Sequence, residues 1–192
     1  MTDRGGEGWD SGSYRDLVMS RRSIYDFKPD IPDRDLLISS MDAARWAPNH
    51  KHTHPWRFYL LGEAAVTAIL SRYRELVLEK RGEETARFKS ARWDAVPSWF
   101  VVTSRRSEDE VLDREDYGAC CCAVQNLALL LWNEGIGVKW STGPVTRDPA
   151  FFEATGVDQK RESVVGLFGC GFPSAVPDGK RPPFTEYLFT VD

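Results

Sequence analysis

The sequence predicts one α+β layered domain, because segments with helical and with strand periodicity follow one another without strict alternation. Its 192 residues are 42% hydrophobic and 12% aromatic, which is enough apolar material for one sizeable core. Glycines, prolines and charged loops separate the periodic segments. We therefore expect one domain over residues 14–192, with a central sheet flanked by helices rather than a doubly wound sheet.

Charge and hydropathy exclude several classes of partner. The net charge is −4 and both signs are interleaved, so the broad basic surface that nucleic acid requires is missing. Residues 1–13 are polar and glycine-rich without the apolar stretch of a signal peptide, which predicts a flexible tail and a cytoplasmic protein. The longest apolar segment, residues 119–132, is interrupted by Gln125 and Asn126 and is too short to span a membrane, so we expect a buried helix there.

Apolar spacing, capping residues and prolines predict the helices. Ser13 and Asp16 resemble a capping pair, Pro32 is expected to open a second helix that ends before Pro48, and glycines close the last two helices. The charged run at residues 107–116 is expected to be a loop. The predicted helices cover about residues 13–21, 32–47, 66–77, 117–134 and 148–155.

Four buried or half-buried strands are predicted between these helices, at residues 56–61, 99–104, 136–141 and 164–170. The proline-rich segment 173–183 suggests an extended arm that crosses a surface. Residues 187–191 have the composition of a strand and could pair with a sheet edge of another subunit.

Arg21, Arg22 and Ser23 form the first candidate site. Two guanidinium groups, a hydroxyl and backbone N–H groups at the end of a helix suit the recognition of a phosphate. Paired arginines at a helix end are also common without any ligand, because they interact with the helix dipole. The segment alone therefore leaves both interpretations open.

The only histidines, His50, His52 and His54, alternate in one loop. In an extended segment their side chains would share a face, as zinc ligands do. Asn49, Lys51 and Thr53 supply no carboxylate, and the charge of Lys51 would oppose a cation. Surface histidines, contacts to a flavin or substrate, and a metal site remain as alternatives.

A third candidate is the Trp140-Ser141-Thr142-Gly143 segment, which follows a predicted strand. Its hydroxyls, N–H groups and glycine could bind the edge of a flat heteroaromatic ring, although a simple turn gives the same pattern. The consecutive cysteines 120–122 would diverge on a helix and are expected to be small buried hydrophobes. GxSxG, GxGxxG and Walker A sequences are absent, so a serine hydrolase, a Rossmann site or a P-loop is not indicated.

Four segments in order, RRSIYDF, AARWAPNHKHTHPWRFYLL, CAVQNLALLLWNEGIGVKWSTG and VVGLFGCGFP, resemble the nitroreductase family of FMN-dependent oxidoreductases. The resemblance spans about residues 14–189 and is greatest to small single-domain bacterial members. It implies a three-layer fold with a mixed or antiparallel sheet, and a homodimer that exchanges C-terminal arms and holds FMN at the subunit interface.

By position, the resemblance assigns the flavin phosphate to Arg21, Arg22 and Ser23, and the isoalloxazine ring to Trp140, Ser141 and Thr142. Trp46 and His50 match positions that approach the same flavin from the partner subunit, and Asn49, His52 and His54 belong to that loop. The family's RSxR pattern ends here in Tyr25, which removes a positive charge near the ring. Arg181 or Lys180 could restore a charge at the phosphate.

The implied activity is ping-pong two-electron reduction of nitroaromatic, quinone-like or related electron-poor small molecules, with NAD(P)H as the transient donor. The protein would position the flavin rather than provide an acid or a nucleophile, so no catalytic side chain is expected. Two alternatives stay open. One is a flavin-binding protein without turnover, and the other is a metal-binding protein that uses the histidine loop.

Overall fold

A computed structural model describes residues 11–191. Residues 1–10, most of the predicted flexible tail, lie outside the described residues. Helices and strands follow one another along the described chain as α1 (Ser11–Ser20), α2 (Arg34–Ala44), β1 (Trp56–Leu60), α3 (Glu63–Arg81), α4 (Glu83–Asp94), β2 (Ser98–Arg105), α5 (Glu110–Asn133), β3 (Gly137–Ser141), α6 (Pro149–Thr155) and β4 (Glu162–Gly171).

The four strands form one antiparallel sheet in the order β1-β2-β4-β3. The segment after α1 adds a parallel bridge between Ser23 and Val138 at the β3 edge. Phe100 of β2 lies opposite Phe168 of β4, and their rings stack with centroids 4.9 Å apart. The predicted α+β fold is confirmed, and β1 and β3 are its two edge strands.

Side chains alternate across the sheet and feed two cores, because successive residues of a strand point to opposite faces. Phe100 and Phe168 belong to the core beneath α2 and α5. Val101 and Leu167 belong to the core beneath α3, α4 and α6. The sheet is thus the middle of three layers, as expected. None of the helices within residues 11–191 is long and apolar enough to cross a membrane.

The long helix α5 begins well before its predicted start. The prediction that residues 107–116 form a loop was wrong, because the Asp109 side chain caps the helix by accepting from the N–H groups of Val111 and Leu112. Most charged residues of the first turns lie on its exposed side. A helix that starts on a charged face resembles a loop when only apolar periodicity is read.

Two further helices differ from the prediction. Asp33 rather than Pro32 opens α2, since its carboxylate accepts from two N–H groups of the first turn, and α2 ends at Ala44, ahead of Pro48. Helix α4 was missed altogether. Half of its residues are charged, and it buries little more than Ala86, Ser90 and Trp93.

The carboxyl-terminal segment leaves the body of the chain after Pro173, and residues 174–191 are exposed throughout. Within the described residues, positions 187–191 form no strand, and a short 3₁₀ turn at Phe184–Glu186 precedes them. The arm predicted from the prolines is therefore present. Its pairing with another subunit stays a prediction.

Candidate functional site

The segment that carries Arg21, Arg22 and Ser23 is fixed against strand β3. It follows the end of α1, pairs through Ser23 with Val138, and buries Ile24 completely, with Ile24 N donating to Val138 O at 3.2 Å. Gly137 allows this approach, because a Cβ there would overlap the side chain of Ile24. The arginines thus lie beside the strand that leads into the predicted ring segment.

Arg21 is the arginine that lacks a partner. Its buried Nε finds no hydrogen-bond acceptor among the described residues. Burial, and then the positive charges of Arg181 and Arg22, lower the pKa of Arg21. A buried donor normally has a partner, so a cluster of three guanidinium groups with an unsatisfied N–H is arranged to accept an anion.

Arg22 has a different role from its neighbour. Its Nη1 donates to the carbonyls of Met19 at 2.6 Å and Arg21 at 2.9 Å, so it binds the carboxyl end of α1 as an ordinary helix-end arginine does. Its guanidinium also lies against the backbone of Gly179 in the arm, where a Cβ would overlap it. Arg22 therefore fits the helix-end interpretation, and phosphate binding stays a prediction for Arg21.

The arm brings Arg181 to this cluster. Arg181 is the first charge that acts on Arg21 after burial, whereas Lys180 does not contribute. Of the two residues considered for the phosphate end, the charge effect on the pKa of Arg21 therefore favours Arg181.

The predicted ring segment stands at the end of β3. Trp140 is 43% exposed, donates from Nε1 to Val165 O at 2.9 Å, and packs at 5.3 Å from the ring of Phe168. Gly166 makes room for its indole, since a Cβ at 166 would overlap it. Ser141 is half-buried and Thr142 is exposed, so the segment presents polar groups and an aromatic surface at the same edge as the arginines.

A cavity of about 330 Å³ opens between β3, α3 and α4. Ser141 and Gly143 form one wall, and the rings of Tyr73 and Trp93, stacked 3.7 Å apart, contribute to another. No acidic side chain lines it among the described residues, whereas four basic ones do: Lys80, Arg81, Lys89 and Lys139. The cavity is therefore flat-walled, aromatic and positively charged.

The histidine loop lies at the other edge of the sheet, just before β1. The segment is not extended, as shared zinc ligands would require, because His50–His52 forms a 3₁₀ turn and Lys51, His52 and His54 have left-handed backbones, with φ of 57°, 50° and 49°. All three histidines are exposed. Within residues 11–191, no group of three His, Cys, Asp or Glu side chains is placed to hold a metal ion.

Asn49 holds this loop from inside. Its Nδ2 donates to Asp116 at 3.2 Å and to Thr53 at 3.0 Å, and its Oδ1 accepts from His54 N at 2.8 Å. The Thr53 hydroxyl also donates to Asp116, which is only 2% exposed. The amide of Asn49 is thus engaged within the chain, and its place in the candidate site is beneath the loop.

Trp46 lies between α2 and this loop and is 82% exposed. An indole that exposed leaves a large apolar area in water, which is typical of a surface that another molecule covers. His54 packs 5.9 Å from Trp56 of β1, so the loop and Trp46 together border the β1 edge.

The structure thus divides the predicted site residues into two groups. One group lies at the β3 edge and contains Arg21, Arg22, Ser23, Tyr25, Arg181 and the Trp140–Thr142 segment. Trp46, Asn49 and the histidines gather at the β1 edge. Three strand spacings of about 4.8 Å separate the two edges within one chain.

Sequence reasoning missed several residues of these two groups. Asp116 was interpreted only as part of a charged loop, although a carboxylate seven residues after the cap Asp109 falls on the buried side. Lys139 gave a signal that could have been used, because a lysine stands inside an otherwise apolar strand. Nothing in the sequence pointed to Gly179.

The three cysteines diverge as predicted, but the prediction that all are small buried hydrophobes is wrong for Cys122. Cys120 is buried, Cys121 half-buried and Cys122 exposed, so the three thiols diverge. Burial raises the pKa of Cys120 and that of the distant Cys170 to about 12. These two thiols are therefore packing groups rather than nucleophiles.

Comparison with known proteins decides the family. The model of the nitroreductase family matches residues 18–172. This chain belongs to the nitroreductase family. YfhC of Bacillus subtilis, which is named as an NAD(P)H nitroreductase, is 30% identical over 182 residues that cover 90% of this chain and 93% of YfhC. The resemblance inferred from the four sequence segments is confirmed.

Solved structures of nitroreductase type share the fold. A nitroreductase-like family protein from Bacillus cereus is 32% identical, with a TM-score of 0.81 over 97% of this chain and 99% of that one. A Desulfovibrio desulfuricans structure, described as a nitroreductase in complex with FMN, has a TM-score of 0.75 at 20% identity, again over 97% and 99% of the two chains. The match extends over nearly the whole molecule.

Proposed function

We propose that this protein is an FMN-dependent NAD(P)H oxidoreductase that acts as a homodimer and reduces electron-poor planar molecules such as nitroaromatics and quinones. The observation that carries the proposal is the guanidinium cluster, in which the buried Nε of Arg21 has no partner among the described residues. Membership of the nitroreductase family, a relative named as an NAD(P)H nitroreductase and a structural neighbour with bound FMN support it.

The residues at the β3 edge fit the two ends of FMN. Arg21, Arg181 and the N–H groups around Ser23 suit a phosphate, since charged donors bind phosphate oxygens strongly. The Trp140–Thr142 segment and the aromatic cavity next to it suit a flat ring that needs apolar faces and a few polar edges. Both ends lie along one strand, because Ser23 pairs with Val138 of β3.

A homodimer explains why the candidate residues lie at opposite edges of the sheet. If Trp46 and the histidine loop contact the same flavin as Arg21, they must come from a second copy of the chain. The exposed arm supports this arrangement, since Phe184, Phe189 and Val191 are 72%, 83% and 93% exposed. Apolar side chains so exposed gain by packing on a partner.

Bound FMN supplies the two-electron chemistry, accepting electrons from NAD(P)H and giving them to the acceptor in alternate half-reactions. The protein's own residues bind and orient. Arg21 and Arg181 hold the phosphate end, Trp140 is fixed by its bond to Val165 O, and the positive cavity favours electron-rich, negatively charged ring edges. No side chain is required as a nucleophile.

The visible spectrum of the purified full chain tests this function. We expect a yellow protein that releases FMN on denaturation, bleaches under anaerobic NAD(P)H, and recovers its colour when a quinone or nitroaromatic compound is added. Initial rates should give parallel double-reciprocal lines.

Two other outcomes lead to other conclusions. Bound FMN that neither NADH nor NADPH reduces would assign the protein to flavin binding without turnover. A colourless protein that carries stoichiometric zinc and does not take up added FMN would overturn the flavin proposal in favour of the histidine loop.

A further inference from the structure

Lys139 occupies an unusual position beside the predicted ring site. It follows Val138, the residue that pairs with Ser23, so β3 places it next to the segment that contains Tyr25. Its Nζ lies 5.6 Å from the centre of the Tyr25 ring and 4.5 Å from that of Trp93. Lys139 also lines the 330 Å³ cavity together with Ser141 and Gly143.

Lys139 forms no ion pair of its own among the described residues, although the negative charge of Asp26 favours its protonated form. Arg92 takes the nearby carboxylate, donating to Asp26 from Nε at 3.0 Å and from Nη2 at 2.7 Å. The ion pairs found among the described residues do not include Lys139. Burial, and then the charges of Arg92 and Lys89, lower the pKa of Lys139 to about 8. A half-buried ammonium held in this way favours a nearby anion or electron-rich group.

Position 25 is where the family's RSxR pattern places a positive charge and where this chain has tyrosine. We propose that Lys139 supplies that charge from the neighbouring strand, facing the edge of the flavin ring and raising its midpoint potential. This inference rests on the proposed FMN site. The side chain reaches the space beside Tyr25 from β3 rather than from the arginine segment. A positive charge would therefore lie near the same place, although it comes from a different position in the sequence.

Three variants of the full-length holoprotein test the inference. Lys139→Met keeps the chain length and the contact with Trp93 but removes the charge. We expect FMN to dissociate roughly tenfold more readily and its midpoint potential to become more negative. Lys160→Met removes an exposed lysine that does not line the cavity and should leave both quantities nearly unchanged, because solvent screens an exposed charge.

The double variant Tyr25→Lys with Lys139→Met returns the charge to the family's position. It should recover the midpoint potential and most of the FMN affinity that Lys139→Met loses. An unchanged midpoint potential in Lys139→Met, an equal effect of Lys160→Met, or no recovery in the double variant would each overturn the role of Lys139. A wild-type protein that binds no FMN would overturn the proposed function itself, so the two failures are distinguishable.

The apoprotein gives a readout that does not depend on flavin. Because the ammonium is partly desolvated and unpaired, its removal should leave the Tm of the apoprotein equal or higher. A clearly lower Tm in Lys139→Met would show that the ammonium itself stabilises the fold, through its charge over the Trp93 ring, and would overturn the assignment.

Discussion

Both edges of the sheet contain an ionisable side chain that is at least partly buried. The two edges differ in whether other residues of the chain hydrogen-bond to that side chain. At the β1 edge, the carboxylate of Asp116 accepts from Asn49 and Thr53. At the β3 edge, Arg21 keeps a buried Nε without a partner, and Lys139 has no ion pair among the described residues. The negative charge is satisfied within the chain, whereas the positive charges are not.

We interpret this difference as that between a structural site and the proposed binding site. A buried polar group that is fully bonded stabilises a unique local conformation, here a loop with three left-handed residues. A buried group that lacks a partner costs free energy, which a ligand can recover. We therefore expect substitutions at the β1 edge to act on stability and dimer geometry, and those at the β3 edge to act on affinity for the anion.

The largest effect should come from combining the two edges. We expect Arg21→Ala and Trp46→Ala homodimers each to lose FMN from both sites. A heterodimer of the two variants should regain one intact site, because the wild-type Arg21 of one chain then meets the wild-type Trp46 of the other. Tandem tags would isolate this heterodimer, and its ratio of FMN to protein would be measured. If the site lay within one chain, every site in the heterodimer would carry a substitution and none would recover.

Arg21→Ala by itself tests the unsatisfied donor. We expect FMN binding to weaken by roughly 1.5–3 kcal/mol through loss of a charge-assisted contact, measured by titrating apoprotein with FMN. Arg15→Ala, which removes an exposed arginine from α1, is the matched control and should change affinity little. Equal affinities for the two variants would remove Arg21 from the site.

Asp116→Ala should act on stability instead. It leaves the amide of Asn49 and the hydroxyl of Thr53 without their buried acceptor, so the free energy of unfolding should fall by about 1–3 kcal/mol in denaturant titrations. The exposed neighbour Glu115 supplies the control, since its replacement by alanine should change stability by less than about 0.5 kcal/mol. If Asp116→Ala instead weakened phosphate binding as strongly as Arg21→Ala, the contrast between the edges would fail.

A pH dependence is also expected at the β3 edge. The pKa of Lys139 falls from its usual 10.5 to about 8 in the folded protein, so between these values the unfolded chain holds a proton that the folded chain lacks. The free energy of unfolding of the apoprotein should therefore rise with pH in that window, relative to Lys139→Met, and be parallel to it below about pH 8. Bound FMN should reduce this rise, because an electron-rich partner favours the ammonium. If the difference in unfolding free energy between the wild type and Lys139→Met stayed constant from about pH 8 to pH 10.5, the lowered pKa of Lys139 would be contradicted.

Much of the fold follows from periodicity. The strands β1, β2 and β4 and the short helix α6 were predicted within about two residues, because apolar runs bounded by glycine, proline or a capping aspartate are strong local signals. Helix α4 and the first turns of α5 were missed for the opposite reason. Their exposed faces are charged, and their few buried residues are fixed by tertiary packing rather than by a local pattern.

The sequence identified which residues are candidates for the site, but it did not show which of them lie close together. The arginine segment and Trp140–Thr142 were both found, but the Ser23–Val138 bridge that joins them is a contact between distant parts of the chain. Only the family resemblance indicated that they belong together. The role of Lys139 depends on which strand lies beside Tyr25, and no single-sequence pattern contains that information.

Gly179 connects the arm to the proposed anion site, since its backbone lies on the guanidinium of Arg22. Seating of the arm brings Arg181 towards Arg21, which adds like-charge repulsion that an anion relieves. Seating of the arm and binding of the anion are therefore coupled equilibria. By thermodynamic reciprocity, each must strengthen the other by the same factor. A higher concentration of FMN should therefore favour the seated arm, and removal of the arm should weaken FMN binding. Resistance of the arm to proteolysis then reports the fraction of sites that hold FMN.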